Sequence, residues 1–337
     1  MKGSVDMDYM NNIYEKETMN FNILESVAKY DMEINNILVE HIKDVHYGKV
    51  YCNDEILLEA DYNLLNSFKK AFRNVLDLNI NNFKVLSKGV DKFRDDINKG
   101  LLFQLNSSTE IKPVKVTISR TSLLVIENNG EVNLTVSTIA MDTLKTIVSR
   151  IMDMMLKERL TVNNEFDFKE LEERVEGLIN EFRSAIFKSD IDGDKFEEKV
   201  RKLMKDTGTK TVMLDNPNKV VASLDKFLEH TVKRLSYQNV KNCQELSEIT
   251  GVFDIFQSDL KRSMKNVNNK ISTVDGDIDM KVDLKLVNKY DRICLTAVNK
   301  ALREAYMLLN FDTKILSNTM DDVKMISSKM LTGARRG

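Results

Sequence analysis

The sequence predicts a mainly α fold: an elongated helical bundle with long helices near both termini and a small antiparallel β meander. Three observations carry this. Proline and glycine, the two residues that interrupt helices, number only 2 and 12 in 337 residues. Apolar residues recur at three- and four-residue spacing over most of the chain. One stretch, Val114–Ser137, instead concentrates β-branched residues around an Asn-Gly pair.

The first organised segment runs from about Asp8 to Val45. Ile13, Phe21, Leu24, Val27, Ile34, Ile37, Leu38, Ile42 and Val45 make a broad stripe, and Gly48 is the expected stop. His41 lies on or beside that stripe, where a lone histidine is expected to be packed rather than ligating.

The clearest pattern spans about Glu55 to Lys99. Leu65, Phe68, Phe72, Val75, Asn79, Phe83, Leu86, Val90, Phe93 and Ile97 are separated by 3-4-3-4-4-3-4-3-4 residues, a heptad seam with one additional four-residue step. This seam is the expected helix-packing surface and a candidate oligomer contact. Asn79, its one polar member, would fix register against a facing helix. Gly100 is the expected end.

Val114, Val116, Ile118 and then Val132, Leu134, Val136 alternate in the manner of strands, with Asn129-Gly130 as a hairpin turn. A meander of two or three strands cannot bury itself and must lie on the helices. Helical spacing returns in Ile139, Leu144, Ile147, Ile151 and Met154, then in Leu171, Val175, Leu178, Phe182 and Ala185. This second helix has a capping-box start at Asp167-x-x-Glu170.

Asp190, Asp192 and Asp194 around Gly193 resemble a calcium loop in composition. Counted from Asp190, however, position 6 is Phe196 and position 12 is Arg201, where an EF-hand needs glycine and a bidentate carboxylate. The expected role is a turn, with Asp194-x-x-Glu197 capping the next helix. Asn216-Pro217 starts another helix through Val221, Leu224, Leu228, Thr231 and Leu235, with a break expected near Gln238. Asp275–Asp283 fails the calcium test too, and Ile278 to Leu286 alternate as a half-buried strand does, with a helix entry from about Asp283 as the alternative. The last helix is expected from about Asn288 to Lys329, with Leu295, Val298, Leu302, Ala305, Leu309 and Leu316 as its stripe.

Four regions follow: 1–107, a long-helix region; 108–140, the meander; 141–273, a bundle of shorter helices; and 274–337, the strand, the long helix and a basic tail.

Several functions lose weight. Lys and Arg (50) nearly balance Asp and Glu (52), so no basic face for a phosphate backbone is evident. The tail arginines Arg335 and Arg336 are the candidate contact for an acidic or nucleic-acid partner. The three cysteines, Cys52, Cys243 and Cys294, form no CxxC pair and fit a reducing compartment. No apolar run reaches the roughly 20 residues that span a bilayer, and no apolar signal opens the chain, so a cytoplasmic product is expected. No phosphate-binding glycine motif, zinc helix or nucleophile elbow occurs, and no catalytic residue, cofactor or metal is expected.

The expected function is a non-enzymatic structural or assembly protein that contacts protein partners, its own copies included, through helices. The Lys-, Asn- and Ile-rich, proline-poor style is common in products of AT-rich bacterial and bacteriophage genomes. A bacteriophage particle component (head, neck, tail or internal protein), located in the virion, is therefore the first expectation. The alternatives are an enzyme or enzyme regulator with a site assembled between helices, and an exported helical filament or injection component.

Overall fold

The structure, a computed structural model, describes residues 28–50, 54–105, 113–132, 134, 136–188, 192–205, 208–259, 262 and 284–334. It is mainly α, with one two-stranded antiparallel sheet. In order come α1 (28–50), α2 (Asp54–Leu105), β1 (Val114–Ser119), α3 (Arg120–Glu127), α4 (Val136–Glu158) and α5 (Phe168–Phe187). They are followed by α6 (Gly193–Lys205), β2 (Thr209–Leu214), α7 (Pro217–Ile249), α8 (252–259) and α9 (Leu284–Ala334).

The two longest helices, α2 with 52 residues and α9 with 51, are each roughly 75–80 Å long at 1.5 Å per residue. Neither Gly48 nor Gly100 stops its helix, because α1 continues to residue 50 and α2 to Leu105. A single glycine costs only about 1 kcal/mol in a helix interior, less than the packing around it supplies. The expected break near Gln238 is likewise absent, and α7 is continuous.

Nine seam residues of α2, from Leu65 to Phe93, are 5% exposed or less, and Ile97 is half-buried. They face α7 and α9 of the same chain. The α2–α7 pair is antiparallel: Arg94 meets Asp225 and Glu229 near the start of α7, while Arg73 Nε donates to Thr250 Oγ1 (2.7 Å) just past its end. Asn79 donates through Nδ2 to the Tyr306 hydroxyl of α9, so the polar seam residue has a partner in a facing helix. A seam already covered inside the chain cannot also meet a second copy without opening the core. Buried apolar residues from all four expected regions join one connected core.

The meander is corrected. β1 forms as expected, with Val116 and Ile118 buried, but its partner is the distant β2, in the register Val114↔Leu214 to Ser119↔Thr209. The rest of the expected meander forms no strand: Leu123 to Ile126 are helical in α3, Val132 and Leu134 lie between helices, and Val136 begins α4. Ser119 caps that helix by accepting from the Ser122 N–H (3.0 Å), and Asp322 of α9 accepts the Ser119 N–H at 2.8 Å. Asn129 and Gly130 do take positive φ, 50° and 83°. They close α3 rather than a hairpin: Gly130 N–H donates to Val125 and Asn129 N–H to Ile126, the Schellman pattern. A Cβ on Gly130 would sit 2.6 Å from the Ser223 carbonyl of α7, so glycine is needed there for space as well.

The strand expected at Ile278–Leu286 lies outside the described residues up to 283, and from Leu284 the chain is helical. Arg335 and Arg336 lie outside the described residues. Among the described residues no helix is long and apolar enough to cross a membrane.

Candidate functional site

The polar groups with the most unusual surroundings are buried charges that join helices. Arg159 follows the last residue of α4, and its N–H still donates to Met155 (3.3 Å). Its guanidinium reaches Asp291 of α9 through Nε (3.1 Å to each oxygen) and Nη2 (2.6 Å), and Asp61 of α2 through Nη2 (2.7 Å). The Phe256 ring of α8 lies 5.0 Å from the guanidinium carbon. Arg159 and Asp61 are 1% exposed and Asp291 0%. Burial, and then the Asp291 charge, push the Asp61 carboxyl well above the usual carboxylate range, against the pull of Arg159. Two buried carboxyls thus share one guanidinium. A buried pair held by several hydrogen bonds does not drive folding strongly, but it is costly to break. It ties α2, α4, α8 and α9 in one arrangement.

A second tie centres on Arg183 of α5, also fully buried. It binds Glu304 of α9 through Nε (3.0 Å) and Nη2 (2.6 Å), and Glu176 (3.1 Å) and Asn180 (2.7 Å) through Nη1. Gly193, the first residue of α6, lies against this guanidinium; a Cβ there would be 3.3 Å from Nη2. This explains the calcium-like run. Asp192, not Asp194, caps α6, accepting the Lys195 N–H at 2.9 Å. That bond, the Lys195 side chain and the nearby Arg183 charge hold its carboxyl below the usual range. The cap falls two residues earlier than expected, and Phe196, three residues past Gly193, is buried. Asp190 lies outside the described residues, and among the described residues no group of three or more acids, histidines or cysteines is placed to hold a metal.

A third junction joins α4, α7 and α9. Asp312, 1% exposed on α9, accepts the Ser137 N–H at the start of α4 (3.0 Å). Asn239 of α7 donates to Ser137 Oγ (3.5 Å), and Arg234 donates to the Leu134 carbonyl (2.7 Å). Burial raises the Asp312 carboxyl to about 6, with the Ser137 donors and the Arg234 charge opposing.

His41 is buried as expected of a packed residue, and burial lowers its pKa. Its Nε2 pairs with Asn288 Oδ1 at 3.1 Å, while Asn288 Nδ2 donates to Leu57 and Leu284 carbonyls. Because the Asn288 amide nitrogen is committed to carbonyls, the His41 proton sits on Nε2. His46 and His230 are exposed. Cys243 and Cys294 are buried, and burial pushes both thiols up, Cys243 to about 12, which leaves them unreactive.

No motif marks Arg159, Arg183, Asp312 or the acids that bind the two arginines. The available signal was register: Asp291 stands four before Leu295, and Asp312 three after Leu309, so both sit on the apolar stripe of α9. Asp61, four before Leu65, extends the α2 seam in the same way. A charge in step with an apolar stripe implies a buried partner.

Comparison with protein-family models, with curated proteins and with solved structures yields no match, so these contacts stand on their own geometry.

Proposed function

We propose that this chain is a non-enzymatic structural or assembly protein whose long helices present surfaces to protein partners. The observation that carries the reading is the use made of the buried charges: Arg159 with Asp61 and Asp291, and Arg183 with Glu304, bond to one another across helices. A reaction chamber directs such groups toward a substrate-sized space. Here they hold rods of roughly 75–80 Å in fixed register, which is what a stiff building element requires. Within this class the Lys-, Asn- and Ile-rich composition favours a bacteriophage particle component.

The test combines two measurements on the full chain. Sedimentation across concentrations, with identification of proteins that co-purify from the native source, is expected to reveal an assembly larger than one 38.8 kDa chain. Melting in the presence of a panel of nucleotides, metals and metabolites is expected to stay constant, since a ligand specific to the folded state would raise the melting temperature. A clear rise with one small molecule, and no assembly, would overturn the proposal in favour of an enzyme or regulator.

A further inference from the structure

Helix α1 has two apolar sides. Tyr30, Ile34 and His41 are buried, and His41 bonds to α9. On the outward side Met32, Val39, Ile42, Tyr47 and Val50 are between 47% and 62% exposed. Met32, Val39, Ile42 and Val50 follow one another at 7, 3 and 8 residues, spacings that return to one helix face. Among the described residues nothing covers this stripe. A helix on a protein surface ordinarily turns charged residues outward; a second apolar stripe along the same helix implies a second packing partner.

The charges beside the stripe indicate which partner. Glu40 and Lys43, both exposed, lie on either side of its midpoint. A second copy laid antiparallel, with a two-fold axis between these residues, puts Glu40 of each chain over Lys43 of the other. It also brings Val39 and Ile42 of both chains together at the axis and sets Met32 of one near Val50 of the other. A parallel copy would stack Glu40 on Glu40 and Lys43 on Lys43. The stripe is thus self-complementary in one orientation only, as a two-fold contact must be.

We propose that α1 pairs antiparallel with α1 of a second copy of this chain, making the protein a two-fold dimer joined along this outward stripe. The proposal rests on the assembly reading above and gives it a surface and a partner. One helix per copy makes a small interface, so association is expected over micromolar concentrations.

The test is sedimentation velocity of the full chain. The mass is expected to rise with concentration from 38.8 kDa toward twice that value. Changing Val39→Glu together with Ile42→Glu is expected to hold the protein monomeric with its melting temperature unchanged, since both positions are exposed. Glu40→Lys and Lys43→Glu, each alone, are expected to weaken the dimer by placing like charges opposite one another. Mixing the two variants is expected to restore it. A wild-type chain that stays at 38.8 kDa throughout overturns the proposal. So does a dimer indifferent to the paired glutamates, although that outcome leaves assembly through another face standing. If mixing the charge variants restores nothing, the antiparallel register is wrong.

Discussion

Asp291 and Asp312 are the same residue type on the same stripe of the same helix, and both are almost fully buried. Their surroundings differ. Asp291 holds the Arg159 guanidinium through three contacts at 2.6–3.1 Å, whereas Asp312 accepts a backbone N–H from Ser137 through one oxygen, and its other oxygen has no hydrogen-bond partner among the described residues. Burial raises Asp312 to about 6. In the Arg159 cluster Asp61, which makes a single contact to the cation, is pushed well above the usual carboxylate range by burial and then by the Asp291 charge. In both raised carboxyls burial is the largest cause, and the donors and cations that reach them oppose it.

The largest expected effect tests the anion of the cluster. Asp291→Asn removes the charge that balances Arg159 and is expected to cost about 3–5 kcal/mol in chemical denaturation, as for other broken buried pairs. Asp61→Asn is expected to cost less, about 1 kcal/mol, the scale of one altered hydrogen bond, because Asp61 makes a single contact to Arg159 and an amide oxygen can still accept it. If the two substitutions cost the same, Asp61 carries as much of the pairing with Arg159 as Asp291 does. Phe83→Asp places an unpaired charge in the covered seam and belongs with the severe class; unchanged melting would mean that the seam is not part of the core.

Asp312 supplies a pH-dependent contrast. Its folded value is raised from 3.8 to about 6. The stability that it contributes is therefore fully present below the unfolded value and is lost as pH rises through about 6. Across that window the change is about 3 kcal/mol at 1.36 kcal/mol per unit. Asp312→Asn is expected to remove this slope, so that the variant gains on the wild type between pH 4 and pH 7 in parallel melts. A slope that persists in the variant would assign it to another group. The smallest effect compares two neighbouring aspartates: Asp192→Ala is expected to lower the melting temperature slightly, by removing the α6 cap, and Asp194→Ala to leave it unchanged.

The helices were legible because their evidence is local. The stripes of α2, α5, α7 and α9, the caps at Asp167 and Asn216, and the positive φ at Asn129-Gly130 all follow from residues within a few positions of one another. The same locality explains the errors. Leu123 to Ile126 carry strand-forming side chains, yet Ser119, whose own N–H is taken by Asp322, caps them into a helix, and that contact is invisible in the segment itself. The partner of β1 comes from Thr209–Leu214, whose own alternation is short and flanked by helices. Arg159, Arg183 and their acids went unnoticed because their partners lie on other helices, although the register of Asp61, Asp291 and Asp312 on apolar stripes marked them.

The sequence by itself determined where helices form, which face each one buries and how several of them begin and end, since backbone hydrogen bonds and side-chain periodicity act within one or two turns. Only the tertiary structure decided which strand pairs with β1, that the α2 seam is covered by α7 and α9 of the same chain, and which acids meet the buried Arg159. Those outcomes depend on the field and the partners that distant parts of the chain supply, and no local spacing encodes them.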